Sequence, residues 1–180
     1  MSTTDYTNRV ITYLLAQSAA SVSLGALAPV PVKIIDGQPA TADVLTVSPS
    51  GLTQRLWIGA PGDVLGRMTD AASSDQGFAF LDQARTRDNQ IDVQCAAEAI
   101  SGDTVMAEAR AGAYAVLAAV ELMVRGSLNT SPASPGDSTM GGLVQWSEVT
   151  GPIELLQGQI DQGACALVKF RVSAFIRLTS

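Results

Sequence analysis

Ala164, Ala166, Val168, Phe170, Val172, Ala174, Ile176 and Leu178 fill every even position of one segment, and Cys165, Lys169, Arg171, Ser173 and Arg177 fall among the odd ones. A period of two sustained this long suits an extended strand with one face buried. Any fold for this chain must therefore contain a sheet built around that segment. A second alternation, Asn89 to Ile100, sets Ile91, Val93, Cys95, Ala97 and Ala99 against Asp92, Gln94, Ala96 and Glu98. Ser101-Gly102-Asp103 follows with capping oxygens for a helix predicted over Thr104 to about Arg125, which Gly126 ends. Its stripe of Val105, Ala109, Ala113, Val116, Leu117, Val120 and Val124 is wide enough to pack on the sheet.

A first helix is predicted from about Thr4 to Val22, with Val10, Ile11, Leu14 and Leu15 at helical spacing and Pro29 and Pro31 beyond its end. Short strands are expected at Val32–Asp36, closed by the Asp36-Gly37 turn signal, and at Arg55–Gly59. Leu143–Val149 and Ile153–Asp161 read as two strands broken by Gly151-Pro152. Loops are expected at 40–54, 60–75 and 127–142, the last too poor in apolar residues to offset its ordering entropy. Consecutive strands with short links pair antiparallel. The expected fold is thus one α+β domain over 1–180, a two-layer sandwich of a mostly antiparallel sheet with two main helices on one face.

Composition narrows the function. The chain has no histidine, which removes the commonest general base, proton shuttle and metal ligand. Its formal charge of -6 disfavours a broad phosphate-binding footprint. Gly59-Ala60-Pro61-Gly62 lacks the Gly-Lys-Ser/Thr of a phosphate loop, and neither Ser48-Pro49-Ser50-Gly51 nor Ser131–Ser134 forms a nucleophile elbow. The carboxylate pairs Asp82 with Asp88 and Glu98 with Asp103 read as solvating surface charge. Cys95 and Cys165 fall on strand positions that point to different faces, so they are expected as reduced thiols of a cytosolic protein, without a disulfide. The polar start, Met1 to Asn8, has no leader pattern, and Glu108, Arg110 and Glu121 interrupt Val105–Val124, so no membrane span is expected. No catalytic, cofactor-binding or metal-ligating residue is assigned. Trp57, Trp146, Arg171 and Arg177 stand out as candidate subunit contacts, because Trp and Arg dominate interface energetics.

Three strings occur in the order helix, strands, helix, strands: Val32-Lys33-Ile34-Ile35-Asp36-Gly37, Leu56-Trp57-Ile58-Gly59, and Val93 to Ala99 running into Ser101-Gly102-Asp103-Thr104. With the Gln- and Gly-rich Leu155–Gln162 and the long final strand, this order resembles the tail terminator (tail completion) proteins of long, non-contractile-tailed phages, especially those infecting actinobacteria. The resemblance implies a homohexameric ring in the virion tail or neck, assembled in the host cytoplasm. Such a ring caps the tail tube, stops its polymerisation and joins it to the head connector. Implied partners are other copies of the chain, the major tail tube protein and the head-tail connector or stopper protein, with DNA only passing through the lumen. No catalytic residues carry over, and no enzymatic activity is expected. The alternatives are another neck, head-completion or minor tail protein and, in a different class, a cytosolic small-ligand-binding α+β module.

Overall fold

The computed structural model describes residues 3–27, 31–37, 51–60, 70–78, 86–125 and 138–179. In chain order these form α1 (Thr3–Ala20), α2 (Val22–Gly25), β1 (Lys33–Asp36), β2 (Leu52–Ile58), β3 (Ala72–Phe78), β4 (Thr86–Ser101), α3 (Met106–Arg125), β5 (Trp146–Ile160) and β6 (Gly163–Thr179). The strands make one mixed sheet in the order β1-β2-β4-β6-β5, with β3 pairing β4 beyond the end of β2. The two main helices pack against one face of that sheet, so the fold is α+β as expected.

The two long alternations form the centre. β4 and β6 pair antiparallel from Thr86↔Thr179 to Ser101↔Ala164. Ile91, Val93, Cys95, Ala97 and Ala99 of β4 join Ala164, Ala166, Val168, Phe170, Val172, Ala174 and Ile176 of β6 in the main core. Against them α3 buries Ala109, Ala113, Val116, Leu117, Val120 and Val124, while α1 buries Val10 and Leu14 one turn apart. Alanine on both layers lets helix and sheet approach closely. At Gly112 an added Cβ would stand 3.0 Å from that of Ala99, and the Gln54 side-chain amide donates to the Gly112 carbonyl at 3.1 Å.

β1 runs parallel to β2 and the other four pairings among the described residues are antiparallel, so the sheet is mostly antiparallel as expected. Several other expectations need correction. Ala72–Phe78 is a strand, although its first residues are expected in a connector; its sequence, Ala-Ser-Ser-Asp-Gln-Gly-Phe, has no alternation of apolar and polar residues and so leaves no period-two signal. Leu52–Gln54 likewise belongs to β2, and Ser138–Gly142 forms turns. The remainder of the three expected loops lies mostly outside the described residues, as does Asp82. α3 starts at Met106 because Thr104 sits at φ 62°, a left-handed conformation that a right-handed helix cannot include.

The predicted break at Gly151-Pro152 is instead a bulge within one strand. Pairing passes from Thr150↔Arg171 to Glu154↔Lys169, and Gly151 takes φ 80°. Proline is tolerated there because, among the described residues, β5 is an edge strand, whose outward N–H groups have no ladder partner to lose.

Candidate functional site

The sheet face away from the helices carries charged and polar side chains near its centre. Register places Lys33 and Ile35 of β1, Arg55 and Trp57 of β2, Gln90, Asp92, Ala96 and Glu98 of β4, and the odd positions of β6 on this face. The even positions of β5 lie beside them. Part of the face is closed: Ile35, Trp57, Ala96 and Leu167 form a second, small core, in which Trp57 is 1% exposed.

Beside that core lies a buried ion pair. Arg55, 1% exposed, donates to Glu98 across the β2–β4 pairing at 2.8 Å, and Glu98 is 13% exposed. The Cys165 thiol lies 3.8 Å from the other oxygen of Glu98. Burial first, then the Glu98 charge and hydrogen bond, push the Cys165 thiol up to about 12, although Arg55 works the other way. Burial alone takes Cys95 up to about 12 from the opposite face, where the Gly59 backbone offsets it in part. Both cysteines are free, and they do point to opposite faces.

These shifts lower thiol reactivity and add a contribution to stability that depends on alkaline pH. With pKa values near 12, only about one thiol in ten thousand is ionised at pH 8, so a thiol-specific chromogenic reagent should leave both sites unmodified in the native protein and titrate both in denaturant. The folded pKa lies above the ordinary 9.0, so the protonated thiols favour the native state below pH 9. Stability from this source is lost as pH rises from 9 toward 12, which urea melts across that window would record.

Farther along the same face the polar groups are tied into a chain. Gln90 donates to Asp92 at 2.9 Å, the Ser173 hydroxyl donates to the Asp92 carboxylate, and the Thr150 and Ser173 hydroxyls share a hydrogen bond. This links β4, β6 and β5. One row toward the β3 end, Asp75, Gln90, Phe175 and Trp146 stand in register across four strands. The Trp146 indole stacks on Phe175 with centroids 3.6 Å apart and remains 41% exposed. Together with Arg177 this row lines an open cleft of about 380 Å³.

The four residues singled out in the sequence therefore share one face but not one site. Trp146 and Arg177 meet at the cleft, and half-buried Arg171 lies against the bulge glycine Gly151. Trp57 is withdrawn into the small core. Sequence reasoning missed Phe175, the one aromatic among the charged odd positions of β6, and the exposed apolar side chains of β5: Ile153, Leu156 and Ile160, each 45–48% exposed. The adjacent leucines Leu155 and Leu156 were the available signal, since neighbours in a strand point to opposite faces and Leu155 alone packs on the core.

Among the described residues no three Cys, Asp or Glu side chains gather as a metal-binding group, and no helix is long and apolar enough to cross a membrane. No known family model matches the sequence, and no curated protein is significantly similar to it.

Proposed function

We propose that this chain is a tail terminator of a long, non-contractile-tailed phage: a virion protein that assembles with its own copies into a ring, caps the tail tube and joins it to the head connector. Its family resemblance supplies that identity. The structural observation that carries the assembly reading is β5. Among the described residues this 15-residue strand pairs on one side only, and Gly151–Ile160 exposes three large apolar side chains beside a single charge, Glu154. Monomeric proteins protect such edges with lysines, short strands or cover, whereas an edge meant for a neighbour is left open.

Electron micrographs of the purified protein with tail tubes test this reading. Rings of the protein and caps on one tube end are expected; a protein that never engages a tube overturns it. The second reading, a small-ligand-binding module, is favoured by the cleft beneath Trp146, where an aromatic wall meets Asp75, Gln90 and Arg177. That reading requires a small ligand to change the fluorescence of Trp146.

A further inference from the structure

Seven large hydrophobic side chains remain exposed among the described residues, and they fall in two places. Val105, Tyr114 and Leu122 lie on α3 or at its entry; Trp146, Ile153, Leu156 and Ile160 lie on β5. The α3 group is not scattered. Ala107, Ala111, Tyr114, Ala118 and Leu122 recur at helical spacing and are all exposed, on the side of the helix opposite the residues buried against the sheet. A helix apolar on both sides expects cover on both.

We infer that the outer stripe of α3 of one copy packs on the exposed face of β5 of the next, as a head-to-tail contact. This rests on reading the chain as a ring subunit, and it names the two surfaces that meet. The surfaces match in length. From Ala107 to Leu122 the stripe runs about 23 Å along the helix, and Gly151 to Ile160 spans about 30 Å of strand. Charge does not oppose the contact: Arg110 and Arg125 beside the stripe are balanced by Glu108 and Glu121, and Glu154 is the only charge on Gly151–Ile160. Alanine at 107, 111 and 118 permits close approach, with Tyr114 and Leu122 as the protruding contacts.

The layers decide the geometry. α3 lies on one side of the sheet, whereas Trp146, Leu156 and Ile160 point by register to the other. A two-fold contact, stripe on stripe or strand on strand, covers one surface and leaves the other bare. A head-to-tail contact covers both and repeats from copy to copy, which is what closes a ring.

Two variants of the full chain test the pairing, Leu122→Glu on α3 and Leu156→Glu on β5. Both side chains are exposed, so each variant should keep the wild-type circular dichroism and melt within a few degrees of it. Light scattering after gel filtration at high protein concentration should find wild type as an oligomer and each variant alone as a monomer. An equimolar mixture should give a particle of twice the 18.6 kDa chain mass, because one intact α3 stripe and one intact β5 remain and growth stops at two. A wild type that stays monomeric, a variant that still assembles alone, or a mixture that stays monomeric overturns the pairing. Wild type that assembles and variants that complement, in a protein that ignores tail tubes, upholds the contact and sinks the terminator reading instead.

Discussion

Replacing Glu98 by alanine is expected to destabilise the protein by about 3–5 kcal/mol, the cost of breaking a buried ion pair by removing one of its members. Arg55 is 1% exposed, so removing Glu98 takes away the carboxylate that lies 2.8 Å from a buried guanidinium. Denaturant melts of Glu98→Ala should show a lowered midpoint at unchanged slope. Double replacement by apolar residues of similar volume, Arg55→Met with Glu98→Leu, should recover most of the loss, because the pair's attraction mainly offsets its own desolvation. Glu98→Ala should also lower the Cys165 pKa, since Glu98 helps to raise it and Arg55 stays behind. Faster thiol modification of the native variant would report this separately from stability. A Glu98→Ala protein as stable as wild type would show that Arg55 finds water or another partner when Glu98 leaves.

Gly163→Ala is expected to cost as much, about 3–5 kcal/mol, for a reason of backbone geometry. Gly163 opens β6 directly after the turn from β5, at φ +124°, where side chains are strained. A Cβ there would collide with the Ser101 carbonyl oxygen and stand 3.0 Å from the Gly102 Cα, both backbone atoms that cannot step aside without disturbing the end of β4. Strain and overpacking add, each of about 1–3 kcal/mol. Gly158, five residues earlier, is the control. It has open space where a Cβ would stand and no unusual φ, so Gly158→Ala should be neutral or slightly stabilising through its effect on the unfolded chain. Equal losses from both substitutions would mean that flexibility, rather than the Ser101 contact, is what glycine supplies at 163.

What could be read from the sequence was what periodicity encodes. β4 and β6 showed their buried faces residue by residue, because one face packs on helices and the other meets polar neighbours. α1 and α3 were legible for the same reason. β3 was not, because its sequence has no alternation of apolar and polar residues. Nor was the unity of β5, because Gly151-Pro152 has the same composition in a chain break and in a bulge. At the candidate site, residue type found Trp146 and Arg177 but could not tell exposed Trp146 from Trp57, buried in a second core on the face whose alternation predicts polarity. The Arg55–Glu98 pair was invisible for a related reason: two charges on neighbouring strands look like solvated surface until register brings them together.

The position of β6 has a further consequence. Five strands precede it in the chain, yet it lies between β4 and β5 and supplies the partner for nearly the whole length of each. A nascent chain that has completed β5 but not β6 therefore holds two long strands with no ladder between them. α3 and α1 have only half a surface to settle on. Folding waits for the element made after the others, and until then the β4 edge later filled by β6 is open to any other strand, including that of a neighbouring nascent copy.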